Sequence, residues 1–211
     1  FVGRWRELDQ IASSFEEARA AKQPRVVQVV GQPGYGKSRL RVELLEQLTR
    51  KGHELHLLFA QADALRVGVP FGVIGGALAA AMDLGQQIEG DARCHAVGAW
   101  VARHAPAAAA EDRTRLAVYL GEIVGAPFPD DAEPLLRSAR QDPRIKAEQI
   151  QHAFVDLLRA MGGARPVVIV LEDLQWADGP SMQLLDFALR EGQGVPLFVL
   201  GLARPEIDES H

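Results

Sequence analysis

The chain alternates short apolar runs with longer stretches in which apolar residues return every three or four positions, and this rhythm predicts strands and helices in turn. In FVGRWRELDQIASSFEEARA, Leu8, Ile11, Phe15 and Ala18 repeat at helical spacing before a polar break at Lys22 to Arg25. VVQVV then predicts a buried strand. KSRLRVELLEQLTRKG predicts a helix, with Leu40, Leu44, Leu45 and Leu48 on one face and Gly52 as its stop. HELHLLFAQA reads as a second strand through Leu55, Leu57, Leu58 and Phe59. From roughly Leu65 to Arg165 the pattern is mostly helical, broken at Pro106 with Ala107 to Ala110 and again over residues 125 to 134. This is a large insertion between strands. Its last helix, from about Arg144 to Met161, carries Ile150, Phe154, Leu157, Leu158 and Met161 on one face and is expected to pack on the sheet. Val167 to Leu171 is continuously apolar, as suits a strand buried on both faces, and VPLFVLGLA supplies a fourth strand that ends at Arg204.

Between the first strand and the helix that follows it stands GQPGYGKS, residues 31 to 38. Gly31, Gly34 and Gly36 can adopt backbone angles closed to other residues and leave room for a ligand against the main chain. Successive N–H groups of such a loop, with the positive end of the next helix, stabilise a phosphate. Gly31, Gly36, Lys37 and Ser38 fill the fixed positions of G-x-x-x-x-G-K-[ST], in which the lysine reaches the β and γ phosphates and the hydroxyl ligates Mg²⁺.

Glu172 and Asp173 close the third strand. Two adjacent carboxylates at the end of a buried strand are costly unless they meet a cation or water, which a magnesium nucleotide and its attacking water provide. Asp178 precedes an apolar helical pattern with Pro180 in its first turn and reads as a helix cap, with nucleotide contact as the other reading; Trp176 reads as a packing anchor. In an open parallel sheet the ligand lies beyond the carboxyl ends of the strands, so Arg204 can meet a phosphate; the competing reading is a salt bridge with Glu206 or Asp208.

Composition narrows the class. The 211 residues carry a formal net charge of -5, 47% hydrophobic residues and one cysteine, and no apolar run is long enough to span a bilayer. A soluble, cytoplasmic chain without a membrane partner is expected, and its mild acidity offers no electrostatic argument for direct nucleic-acid binding. Cys94 cannot form an internal disulfide. The first residue is Phe1, so the sequence is expected to be a fragment of a longer chain.

FVGRWREL, GQPGYGKSRL, VVIVLEDLQWAD with Ser181, Leu184 and Leu185 after it, and LGLARPE resemble the four successive boxes of the AAA-related, STAND-type ATPase module. That module occurs in large bacterial signalling proteins: LuxR-type regulators, nucleotide cyclases and serine/threonine kinases joined to an ATPase and helical repeats. The boxes span almost the whole chain, and the helical insertion is most similar to the version fused behind protein kinases. The resemblance implies an α/β, three-layer P-loop NTPase core over residues 1 to 211, with a parallel sheet and an insertion at about 65 to 165; the given sequence is expected to be a fragment lacking the helical lid that the family carries. It implies ATP and Mg²⁺ as cofactors, slow hydrolysis to ADP and phosphate, other domains of the same chain as partners (kinase, cyclase or DNA-binding output, helical repeats), and nucleotide-dependent self-association.

Residue by residue, the resemblance places Val2, Gly3 and Arg4 near the adenine. It places Gly31, Gly34, Tyr35, Gly36, Lys37, Ser38 and Arg39 around the nucleotide, with Ser38 and Glu172 at the metal. Asp173 polarises the water, Lys37 stabilises the phosphates, and Arg204 senses the γ-phosphate. Two positions depart from the pattern: Gln175 stands where a histidine is usual, and Tyr35 where a small aliphatic residue is usual. A DNA-loading ATPase related to replication initiators and a small-molecule phosphotransferase are the competing readings.

Overall fold

Among the described residues four strands, β1 (Arg25–Val30), β2 (His56–Gln61), β3 (Val167–Glu172) and β4 (Leu197–Ala203), form one sheet in the order β1-β4-β3-β2. All pairings are parallel, with Val30 opposite Ala203, Leu171 opposite Gly201, and Gln61 opposite Glu172. The carboxyl ends therefore emerge along one edge. The structure is a computed structural model and describes residues 3–66, 68–85 and 87–205.

Parallel neighbours cannot be joined by a tight turn, so helices join each strand to the next along the chain. The helices are α1 (Trp5–Ala21), α2 (Lys37–Arg50), α3 (Gly72–Ala81), α4 (Gly90–His104), α5 (Ala110–Val124), α6 (Leu136–Gln141), α7 (Pro143–Ala164) and α8 (Gly179–Glu191). They lie on both faces of the sheet, an α/β architecture. On β3 the side chains alternate. Val168 and Val170 join Leu8 and Phe15 of α1 and Leu40, Leu44 and Leu48 of α2. Val167, Ile169 and Leu171 join Phe154 and Leu158 of α7 and Leu184 and Leu185 of α8. Both faces are thus covered, which is why this segment is apolar without alternation.

The run VVQVV behaves differently from the buried strand its composition predicts. β1 is an edge strand: Val27 and Val29 pack toward the α1 and α2 cluster, while Val26 and Val30 are 56% and 41% exposed. Hydrophobic character alone did not reveal that no helix among the described residues covers that face. Between β2 and β3 the chain forms α3 to α7, and Ile150, Phe154, Leu157, Leu158 and Met161 of α7 are buried as their spacing predicts. No helix among the described residues is long and apolar enough to cross a membrane.

At the amino end of β2, far from the loops described below, the rings of His56 and His104 meet edge to face at 5.4 Å, and His104 stacks on Trp100 at 4.0 Å. Burial holds the His56 pKa below the ordinary imidazole value, with the charges of His104 and Arg165 acting in the same direction. The unfolded chain therefore binds the extra proton more readily, and stability drains away as the pH falls through about 6.5. Denaturant midpoints measured at about pH 8 and pH 6 are expected to drop for the parent and to drop less for His56→Gln.

Candidate functional site

After β1 the chain turns through residues 31 to 36 and enters α2 at Lys37. Gly34 and Gly36 have φ of 81° and 76°, left-handed angles that the turn requires, and Gly36 is the N-cap of α2. Gly31 has no such angle, and a Cβ there would meet Tyr35 Cβ at an ordinary 3.8 Å; two of the three loop glycines are conformational, not all three. No side chain caps α2, so its first amides and the positive end of its dipole are left facing the loop. Lys37 Nζ folds back over the same loop, donating to the carbonyls of Gly31 and Gln32, the latter at 3.1 Å.

The loop is braced from α1. Arg4 Nη1 donates to the Tyr35 carbonyl at 2.7 Å, and its Nε lies 3.3 Å from Glu7. Arg4 therefore touches the phosphate-loop backbone itself. The Tyr35 side chain points outward and is 65% exposed, Arg39 pairs with Glu43 one turn along α2, and Gly3 stands just before α1 with φ of 94°. Val2 lies outside the described residues.

Asp173 leaves β3 with φ of 56°, a left-handed angle that aspartate tolerates better than most residues. Its carboxylate is clamped from two sides. Gln61 Nε2, at the end of β2, donates to Oδ2 at 2.8 Å, and Gln175 Nε2 donates to Oδ1 at 3.2 Å. The other end of Gln175 accepts the backbone N–H of Arg204 at 3.1 Å, so the amide that replaces the usual histidine ties the acidic residue to the end of β4. Gln61 escaped the sequence reading. Its only signal was a polar residue closing an apolar run, and the β2–β3 register decides what that amide faces.

A cleft of about 350 Å³ at the carboxyl edge of the sheet is lined by Pro33, Gly34, Gly36, Lys37, Ser38, Arg39, Asp173 and Arg204. Residues from three separate places in the sequence meet there. Glu172 does not line the cleft: it is buried on the α2 face, with Oε1 3.2 Å from Arg41 Nε. Glu206 and Asp208, the alternative partners of Arg204, lie outside the described residues.

Beyond Asp173 a second cavity of about 490 Å³ is lined by Gln61, Ala62, Asp63, Ala64, Asp173 and Trp176. Trp176 is 40% exposed at its wall and is not the packing anchor its size suggests, because the turn at 174–176 carries the ring out past the end of the sheet. Asp178 is the helix cap. Its Oδ1 accepts from Ser181 N at 2.8 Å and from Phe71 N at 2.9 Å, and its Oδ2 accepts from Val73 N at 3.1 Å, so one carboxylate caps α8 and also holds the start of α3.

Mg²⁺ keeps most of its ligands as water and phosphate and takes only one or two oxygens from the protein. The donors here suit that demand. Ser38 and Asp173 share the cleft, and Glu172, which does not line it, ends the strand behind with a buried Oε1 that has no hydrogen-bond partner among the described residues.

A family model described as AAA ATPase domain matches residues 1–200. Among curated proteins, none matches the chain.

Proposed function

Because this chain belongs to the AAA ATPase domain family, we propose that its cleft binds Mg-ATP and hydrolyses it slowly, as the nucleotide switch of a multidomain bacterial signalling protein. The observation that carries the reading is the convergence of Lys37, Ser38, Asp173 and Arg204 on one cleft at the carboxyl ends of parallel strands. The signalling context, a kinase-fused one included, rests on the resemblance of the sequence boxes.

In this reading the amides of residues 34 to 38 and the α2 dipole hold the β and γ phosphates, while Lys37 exchanges its loop carbonyls for phosphate oxygens. Ser38 would hold the metal from the cleft, and Glu172, which does not line the cleft, would support it through its charge from the strand behind. Bound magnesium supplies charge neutralisation where the γ-phosphate bond breaks. Asp173 orients the attacking water and accepts hydrogen bonds from it, its carboxylate kept in place by Gln61 and Gln175. Arg204 meets the γ-phosphate across the cleft. Contacts that exist only while the γ-phosphate is present are what can bias two conformations of the larger protein.

Lys37→Ala tests the site directly. Loss of a charge-assisted bond worth about 1.5–3 kcal/mol weakens ATP binding by roughly one to two powers of ten. Calorimetry on folded parent and variant measures it, and equal affinities would remove Lys37, and with it this cleft, from nucleotide binding.

A further inference from the structure

Glu172 ends β3 on the face that packs against α2, and its side chain is 9% exposed. Arg41 stands three residues beyond Ser38 in α2, and its guanidinium carbon lies 4.5 Å over the ring of Phe59 from β2. Arg41 Nε and Glu172 Oε1 are 3.2 Å apart, yet neither atom makes a hydrogen bond among the described residues. Opposite charges are in contact there, but the hydrogen-bonding capacity of these two atoms is unused. A buried carboxylate oxygen in that condition is costly unless something else completes it.

From this geometry we propose that Arg41 sets how strongly the site depends on Mg²⁺, by acting as a resident counter-cation for Glu172. The inference rests on the Mg-ATP reading above. Two cations then address one carboxylate: a guanidinium carried by α2 and held against Phe59, and a divalent ion delivered with the nucleotide. The guanidinium neutralises Glu172 in advance and weakens the pull of that carboxylate on the metal, because an opposite charge at this distance changes a carboxylate's affinity for a cation by about tenfold or more. Glu172 does not line the cleft, so its carboxylate acts on a bound metal through its charge, and that charge is the one Arg41 offsets from 3.2 Å. Arg41 is therefore a positioning residue whose effect is read in metal dependence.

The experiment is calorimetric titration of ATP into the chain in EDTA and in rising MgCl₂, for the parent, Arg41→Met and Arg41→Lys. Methionine keeps an unbranched apolar stem against Phe59 and removes the charge; lysine keeps the charge. The parent is expected to show a modest gain in ATP affinity on adding magnesium. In Arg41→Met that gain grows by about tenfold and half-saturation moves to lower magnesium, while Arg41→Lys stays near the parent. Should Arg41→Met fail to fold, Arg41→Gln, uncharged but still a hydrogen-bond donor, is read by the same titration with the same expected direction. An unchanged magnesium gain in the neutral variants overturns the proposal. So does an affinity that changes by the same factor in EDTA and in magnesium, which is the signature of a purely structural pair. A parent that binds no ATP under any condition sinks the functional reading instead, and the two failures are told apart by that control.

Discussion

Asp173→Asn is expected to lower single-turnover ATP hydrolysis by about two to four powers of ten, the range a positioned acid-base group contributes, while Mg-ATP stays bound with equal or tighter affinity. In the proposed reading rate and binding separate because the carboxylate would act on water rather than on the phosphates, and removing a negative charge beside a triphosphate would relieve repulsion. The geometry adds a second cost. Both carboxylate oxygens accept from amide N–H groups, so the asparagine NH₂ must face one of those donors. Gln175 cannot turn to suit it, since its oxygen is engaged by Arg204 N–H, and Gln61 has to rotate instead. Quench-flow hydrolysis beside calorimetry on the same preparation is the measurement. A variant that hydrolyses at the parent rate would show that another group handles the water.

The largest effect on stability is expected at Asp178. Asp178→Ala leaves the amides of Phe71, Val73 and Ser181 without their acceptor at a residue that is 6% exposed. An unsatisfied buried group costs about 1–3 kcal/mol, and water entering the space recovers part of it, so a net loss of about 3 kcal/mol is expected. For a domain of this size that lowers Tm by roughly 6–12 °C. Asp178→Asn falls between. Its oxygen can still serve Phe71 and Ser181, but its NH₂ then meets the Val73 N–H, which needs an acceptor. Thermal denaturation of the three proteins orders them as parent, asparagine, alanine; alanine equal to parent would mean that α3 and α8 hold together without this carboxylate. Asp178 stands five residues beyond Asp173, so the same segment that presents the acidic residue to the cleft also carries the clamp on the inserted helices.

Local chemistry was readable without coordinates. The helical spacing of Leu8, Ile11, Phe15 and Ala18, the apolar run of β3, the glycines and lysine of residues 31 to 38, and the Asp178 cap all follow from residues within a turn or two of one another. Such features depend on backbone angles and short-range hydrogen bonds, which neighbouring residue types determine. The sheet face left open at Val26 and Val30, the outward turn of Trp176, the Gln61 and Gln175 clamp on Asp173, and the pairing of Glu172 with Arg41 depend instead on strand order, register and the rotation of α2 about its axis. Gln61 and Asp173 lie 112 residues apart, and Phe71 and Asp178 lie 107 apart, and no local preference specifies either meeting. The sequence determined by itself that a phosphate-binding loop and an acidic pair end two strands. Tertiary packing decided that Asp173 faces the cleft while Glu172 faces a guanidinium, because only the assembled sheet and the helix laid against it settle which charge each carboxylate meets.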